Sequence, residues 1–121
     1  MLVLVDTSVW IDHLHRTDPE LVALLRETLV MMHPAVVGEL ACGAIQNHRQ
    51  FLSLWLTLPR VDEVSFEEAL ALVENSTLWG RGLGWTDIQL LASALVYRVT
   101  LWTRDRLLRE TAGQLLIPLK A

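Results

Sequence analysis

Two short apolar runs, each followed by an acidic residue, constrain the fold of this chain more than any other feature. The first runs from Leu2 to Val5 and ends at Asp6; the second runs from Val99 to Thr103 and leads to Asp105. Runs this short and this apolar are typical of buried strands. A carboxylate at the tip of a buried strand is unfavourable for stability, but open α/β sheets build their sites at the carboxyl ends of strands. The runs therefore predict an α/β fold with acids at one edge of its sheet.

Helical segments separate the apolar runs. Thr7 or Ser8 can cap a first helix, and Asp18-Pro19-Glu20 is a strong start signal for a second. Further helices are predicted between Pro34 and Gly43, over 48–57, and over 105–111. Capping boxes predict two more, one that starts at Ser65 and is ended by the run Gly80–Gly84, and one from Thr86 to about Tyr97. Further short strands are predicted at 30–32, 61–64 and 115–118. This alternation predicts a mainly parallel sheet covered on both faces, in a single domain over residues 1–121.

Composition limits the class of protein. The chain has 121 residues, enough for one core, and 52% of them are apolar, which suggests a surface buried against a partner. No stretch approaches the roughly 18 apolar residues of a membrane span, and the N-terminus lacks the basic region of a signal peptide. Cys42 is the only cysteine, so an internal disulfide is excluded. A cytoplasmic protein without a membrane role is the expectation.

The net charge of −4 argues at first against a nucleic-acid partner. However, Lys120 is the only lysine among the ten basic residues, and arginine is the better bidentate partner for phosphate. Four of the fourteen acids are also candidate metal ligands: Asp6, Glu39, Asp87 and Asp105. Without these four, the acids number ten and equal the basic residues, so the surface that a substrate meets can be neutral with local arginine patches.

Three of these acids each have an ordinary structural explanation when taken alone, whereas for Asp6 a functional role is the better explanation. Asp87 lies in a first helical turn, where the helix dipole favours a negative charge, Asp105 suits an N-cap, and Glu39 fits a solvent-facing edge of an apolar helix. Taken together, four acids in apolar surroundings indicate a shared site. Clustered carboxylates repel each other unless a cation compensates them, and oxygen-only ligands select Mg²⁺ or Mn²⁺ over zinc.

Four motifs in order, LVDTSVWIDHL, VVGELACG, GWTDIQLLASAL and LWTRDRLL, resemble the PIN-domain ribonucleases, specifically the VapC-type toxins of bacterial toxin–antitoxin pairs. The resemblance covers essentially the whole chain. It implies a PIN-like α/β/α sandwich in which the family's four acids fall on Asp6, Glu39, Asp87 and Asp105. The polar residues that flank the family site fall on Thr7, Ser8 and Thr103.

The resemblance also implies a function. It implies a Mg²⁺-dependent endoribonuclease, with Mn²⁺ able to substitute, that cleaves RNA to leave a 3′-hydroxyl and a 5′-phosphate. A VapB-type antitoxin would block the acidic site, and the chain would form a homodimer. Candidate arginines for gripping RNA phosphates are Arg16, Arg49, Arg81, Arg104 and Arg106.

Other classes fit less well. A haloacid-dehalogenase phosphatase needs a second Asp two residues after the first, where this chain has Ser8. A phosphorylated receiver domain needs a strand-end lysine, and the only lysine is Lys120. The remaining alternative is a PIN-fold module without nuclease activity that acts by binding a partner or RNA, and a metal-dependent cleavage assay separates it from the enzyme.

Overall fold

The structure is a computed structural model that describes residues 1–121 as three strands and seven helices. The strands are β1 (Val3–Val5), β2 (Val30–Met31) and β3 (Thr100–Trp102). The helices are α1 (Thr7–His15), α2 (Pro19–Arg26), α3 (Pro34–Ala41), α4 (His48–Thr57), α5 (Phe66–Asn75), α6 (Trp85–Tyr97) and α7 (Arg106–Gln114). The longest helix has 13 residues, and none is long and apolar enough to cross a membrane.

The sheet is parallel, in the order β2-β1-β3, so the N-terminal strand is central. In its register Val3 pairs with both Val30 and Thr100. Neighbouring side chains of a strand point to opposite faces, and all three residues of β1 are fully buried. Both faces of the sheet are therefore covered, and the predicted α/β fold with a parallel central sheet is confirmed. Since β1 and β3 are parallel neighbours, Asp6 and Asp105 follow strands that end at the same edge.

Several helix starts follow the predicted capping chemistry. The carboxylate of Asp18 accepts hydrogen bonds from the backbone N–H groups of Glu20 and Leu21, with Pro19 at the first helical position. The Ser65 hydroxyl accepts from the Glu68 N–H at the start of α5. These caps satisfy backbone donors that a helix start otherwise leaves without partners.

Two predictions about capping are wrong. The N-cap of α1 is Asp6, not Thr7 or Ser8, and the Asp6 carboxylate makes no cap hydrogen bond. The N-cap of α6 is Gly84, whose N–H donates to Asp87, so the box opens two residues before Thr86. In both places the predicted capping residue lies within the helix.

The predicted strands at 61–64 and 115–118 are also wrong. Each region contributes only a single parallel bridge, Met32 to Arg60 and Leu101 to Leu119. Val61 is fully buried and Ile117 nearly so. Their apolar character therefore reflects burial in the core, and it does not require a continuous hydrogen-bonded ladder.

The core lies around the sheet and includes three of the five tryptophans. Trp10, Trp55 and Trp102 are buried, and the rings of Trp10 and Trp55 meet edge to face with centroids 5.9 Å apart. Trp79 and Trp85 are exposed, and Trp85 lies against Phe66. The contact between Trp10 and Trp55 therefore joins α1, the helix that follows Asp6, to α4.

Candidate active site

Asp6 is the most buried of the four predicted site acids, with 6% of its surface exposed. Its backbone N–H donates to the carbonyl of Trp102, which extends the pairing of β1 with β3 to the edge of the sheet. One carboxylate oxygen, Oδ2, accepts hydrogen bonds of 2.7 Å from both Ser8 Oγ and Thr103 Oγ1. These two hydroxyl groups lie 3.3 Å apart. These two hydrogen bonds offset part of the cost of burying a polar side chain, and no protein group donates to Oδ1.

Asp105 reaches the same edge from β3. It is the N-cap of α7, where Oδ1 accepts from the backbone N–H of Leu108 at 3.0 Å. Its own N–H donates to Thr103 Oγ1 at 3.0 Å, and that hydroxyl in turn donates to Asp6. Thr103 therefore connects the two strand-end acids directly, although Asp105 also has the structural role of a cap.

Glu39 comes to the edge from the exposed side of α3. Its Oε1 accepts a 2.8 Å hydrogen bond from the hydroxyl of Thr7, the residue after Asp6. Helix α3 begins at His33, whose ring accepts the Ala35 N–H, and α3 packs on both α1 and α6. The exposure of Glu39 agrees with the ordinary reading of a solvent-facing residue, but its partner lies beside the central acid.

Asp87 lies in the first turn of α6, where Oδ2 accepts the Gly84 N–H at 3.0 Å. Partial burial raises the pKa of the Asp87 carboxyl above its usual range. The Gly84 hydrogen bond opposes this shift, whereas the negative charges of Asp105 and Asp6 add to it. Coulomb repulsion weakens with distance, so the contributions of Asp105 and Asp6 to this pKa are consistent with Asp87 lying near the two strand-end acids.

Hydrogen bonds or charge repulsion link each of the four acids to a residue at this edge of the sheet, but the acids do not form a ready-made metal cage. No three His, Cys, Asp or Glu side chains lie close enough together to hold one metal ion. Bare carboxylates repel each other, and here each is held by a local hydrogen bond. The donor set consists only of carboxylate and hydroxyl oxygens, and this chemistry fits a hard divalent cation such as Mg²⁺ or Mn²⁺.

Arg104 is not free to grip a phosphate. Its guanidinium donates to Asp12 at 2.8 Å and to Asp18. The expectation that Arg104 could grip a phosphate did not foresee this pairing, because residues 92 positions apart carry no pairing signal in the sequence. Of the other candidate arginines, Arg81 bonds to Gln114 and Arg106 to Glu110.

The chain is similar to known proteins over nearly its full length. Residues 3–114 match the family model described as PIN domain. The chain is 45% identical, over 114 residues, to Ribonuclease VapC32 from two strains of Mycobacterium tuberculosis, CDC 1551 / Oshkosh and ATCC 25618 / H37Rv, with 93% of this chain and 92% of the relative covered.

A solved structure described as "Structure of FitAB bound to IR36 DNA fragment" has a similar fold. The TM-score is 0.66, the sequence identity is 18%, and the match covers 98% of this chain and 94% of the other. At that identity the likeness concerns the fold alone. The family match and the 45% identity go further: the chain belongs to the PIN-domain family, as a VapC-type member.

Proposed function

We propose that this protein is a metal-dependent endoribonuclease of the VapC type, which hydrolyses phosphodiester bonds in RNA. The observation that carries the proposal is the hydrogen-bonded edge of the sheet, where Thr103 connects Asp6 to Asp105 and Thr7, the residue after Asp6, binds Glu39. The raised pKa of Asp87, caused by partial burial and by the charges of Asp105 and Asp6, agrees with it. Mutual repulsion of carboxylates costs stability, and a bound cation would offset that cost; perturbed acids of this kind are common at functional sites. The 45% identity to a protein named as a ribonuclease supports the same reading.

In this proposal Asp6, Glu39, Asp87 and Asp105 hold Mg²⁺, with Mn²⁺ able to replace it. A bound divalent ion lowers the pKa of a water molecule and offsets negative charge on the reacting phosphate. Ser8 and Thr103 orient Asp6 by donating hydrogen bonds to its Oδ2. The Thr7 hydroxyl orients the carboxylate of Glu39 in the same way. These hydroxyl groups act on the acids and not on the RNA.

RNA must approach an edge that is itself negative. Carboxylates repel phosphates, so cleavage needs both the cation and nearby positive side chains. Arg16 and Arg49 have no side-chain hydrogen bond in the structure, whereas Arg104 is paired with two acids. We therefore favour Arg16 and Arg49 as phosphate contacts. The products are expected to carry a 3′-hydroxyl and a 5′-phosphate.

We also propose that a VapB-type antitoxin guards this site and that the chain forms a homodimer in the cytoplasm. An accessible acidic edge on a nuclease calls for an inhibitor, and the planar guanidinium of an arginine suits carboxylates.

Exposed apolar side chains on α5 and α6, among them Phe66, Leu70 and Trp85, are consistent with a second copy packing there. Light scattering of wild type and of Phe66→Glu tests the homodimer: loss of mass in the variant supports this face, and a monomeric wild type excludes the dimer.

The decisive experiment compares Asp6→Asn with wild type in cleaving RNA at saturating Mg²⁺. Asparagine keeps the shape of the side chain but removes its charge, so cleavage should fall below detection while the folded state survives. Asp62→Asn is the matched control, because Asp62 is exposed and contacts only Tyr97 through its carboxylate. A variant that cleaves at the wild-type rate contradicts the proposed site. A wild-type protein that binds RNA or a partner without cleaving RNA favours the module without nuclease activity.

A further inference from the structure

Arg104 occupies the centre of the segment 103–105, which joins β3 to α7 and carries two residues of the acidic edge. Its backbone N–H donates to Ser8 Oγ at 3.0 Å, and Ser8 Oγ donates to Asp6. On either side of it, Thr103 and Asp105 are connected by a hydrogen bond of 3.0 Å. The main chain at Arg104 is therefore part of the network that holds the central acid.

The side chain of Arg104 fastens this segment to two helices. Its NH1 group donates to Asp12 on α1 at 2.8 Å, and its NH2 group donates to Asp18, the N-cap of α2. Asp18 uses its other oxygen to cap α2, so both of its carboxylate oxygens are engaged. The guanidinium also lies 5.5 Å from the ring centre of Trp102. We call Arg104, Asp12 and Asp18 the Arg104 clamp.

The ion pair of Arg104 with Asp18 is favoured at neutral pH, because each partner shifts the pKa of the other towards the charged form. Burial alone would raise the pKa of Asp18, but hydrogen bonds from Arg104 and from the N–H groups of Leu21 and Glu20 outweigh burial and lower that pKa. Only 13% of the Asp18 side chain is exposed, whereas 55% of Asp12 is. An exposed ion pair contributes little to stability, so the geometry that the clamp imposes is its more consequential effect.

We propose that Arg104 is a positioning residue whose clamp fixes the 103–105 segment, so that Thr103 and Asp105 keep the places beside Asp6 that cation binding requires. This inference rests on the proposed function, because it concerns the same acidic edge. Arg104 acts through the segment and touches neither RNA nor cation. Removing a residue that orients a metal ligand typically lowers metal affinity or activity by roughly 10- to 100-fold.

The alternative role for Arg104 is to contact an RNA phosphate, with Asp12 and Asp18 binding its guanidinium only while RNA is absent. The two roles give opposite signs for one substitution. Asp18→Asn keeps a capping oxygen for α2 but removes the charge that holds Arg104. If Arg104 positions the segment, this change harms the site as Arg104→Ala does. If Arg104 binds phosphate, Asp18→Asn releases the guanidinium and strengthens RNA binding.

The test compares Arg104→Ala, Arg104→Lys, Asp18→Asn and the Arg104→Ala/Asp18→Asn double variant with wild type. Arg26→Ala is the control, because it removes a surface arginine that makes no side-chain hydrogen bond in the structure. Amide hydrogen exchange over 103–105 is measured on chelator-treated protein, Mn²⁺ affinity by electron paramagnetic resonance, and kcat and KM on an RNA oligonucleotide.

For the clamp, we expect faster exchange over 103–105 and roughly 10-fold or greater weakening of Mn²⁺ binding in both Arg104→Ala and Asp18→Asn. The fall in activity should lie in kcat, while KM stays within about twofold of the wild-type value. Arg104→Lys should restore part of the lost activity, and the double variant should be no worse than either single variant. Unchanged exchange and Mn²⁺ affinity in both single variants overturn the proposal, as does tighter RNA binding by Asp18→Asn.

The failure of the clamp is distinguishable from the failure of the proposed function. Wild-type protein that cleaves RNA, with variants that match it in exchange and Mn²⁺ affinity, overturns the clamp alone. Wild-type protein that neither binds Mn²⁺ nor cleaves RNA overturns both, whatever the exchange rates are.

Discussion

At the scale of single residues, Asp87 carries the clearest electrostatic conflict. Burial and two neighbouring acids raise the pKa of its carboxyl, so the folded state favours the protonated form. A raised acid pKa contributes stability that is full below the unfolded value of 3.8 and is lost as pH rises through the folded value. At neutral pH and without metal, the ionised Asp87 therefore destabilises the fold.

Asp87→Asn should raise the melting temperature of chelator-treated protein at pH 7, because it removes this charge and keeps an oxygen for the Gly84 N–H. The gain should shrink as pH falls and disappear below the unfolded value of 3.8, where Asp87 is neutral in both the folded and the unfolded state. The rise in melting temperature that Mn²⁺ gives wild type by binding linkage should shrink in the variant. Calorimetry with and without Mn²⁺ measures both effects. A metal-free variant that melts below wild type at pH 7 contradicts the assignment of strain to Asp87.

How far the sequence predicts this site depends on the kind of interaction. Asp6 and Asp105 follow apolar runs that pair as neighbouring strands, so strand topology alone brings them to one edge. The clamp of Asp12, Asp18 and Arg104 was not predicted, because partners 86 or more positions apart are joined only by the tertiary fold. Local caps such as Asp18 were predictable, whereas Gly84 as a cap was missed because glycine has no capping side chain.

At the scale of elements, several helices end in a left-handed residue that is not glycine. Thr28, Thr77 and Leu116 have φ between 55° and 61°. At Thr28 the N–H donates to the Leu25 carbonyl and the next N–H donates to Leu24, which is the Schellman pattern. The glycine run Gly80–Gly84 predicts the end of α5, but the helix already ends at Asn75. The predicted end of α7 at residue 111 lies three residues before its actual end at Gln114. Non-glycine stops leave no compositional mark.

Thr28→Gly should stabilise the protein by about 1 kcal/mol, because the left-handed conformation is unfavourable for a residue with a Cβ. Ala23→Gly, in the exposed middle of α2, is the matched control and should destabilise it by a similar amount of about 1 kcal/mol. Urea unfolding of the two variants and wild type measures the difference. A loss of stability in both variants would show that glycine entropy outweighs the backbone strain at Thr28.

The start of α3 depends on a histidine that must stay neutral. His33 is fully buried, its Nδ1 accepts the Ala35 N–H, and its Nε2 lies 3.1 Å from Ser93 Oγ. An accepting Nδ1 places the ring proton on Nε2. Burial lowers the pKa of His33, and the charge of Glu63 opposes this only in part. Protonation would remove the cap of the helix that carries Glu39.

The sign of this pH dependence follows from linkage. A lowered histidine pKa contributes stability that is full above the unfolded value of 6.5 and is lost as pH falls below that value through the folded one. The free energy of unfolding should therefore decline from pH 7.5 to pH 5. The decline should be smaller in His33→Asn, which keeps a capping oxygen but does not titrate, and unchanged in the control His15→Asn on the exposed end of α1. Equal slopes in all three proteins would exclude His33 as the source.

At the scale of the whole molecule, charge and apolar surface are distributed unevenly. The chain carries a net charge of −4, and Asp6 and Asp105 follow neighbouring strands at one edge of the sheet, where the charges of both raise the pKa of Asp87. A groove of about 710 Å³ lies between α1 and the segment 43–47, and Ile11, Leu14, Ile45 and Phe51 are among its lining residues. An inhibitor that combines an apolar segment with an arginine would complement both features.

We therefore predict that a small protein encoded beside this gene has a C-terminal segment that lies across an apolar groove and places an arginine near Asp6 and Asp87. Coexpression should give a stable complex and rescue growth. Changing that arginine to alanine should restore some RNA cleavage even where the complex survives, because apolar contacts and charge neutralisation are separate contributions.

Ile11→Arg tests the groove between α1 and segment 43–47 as the docking place. Ile11 is 43% exposed, so the change should leave the fold and RNA cleavage intact while it weakens the complex. Leu116→Arg, at a more exposed apolar position outside the groove, is the control and should leave the complex unchanged. Pull-down and growth assays with both variants separate the outcomes. If Ile11→Arg binds the protein encoded by the neighbouring gene as wild type does, the inhibitor docks elsewhere. If wild type forms no complex with that protein and coexpression does not rescue growth, a free-standing RNA-processing nuclease becomes the better account, because an unguarded acidic edge must then be harmless to the cell.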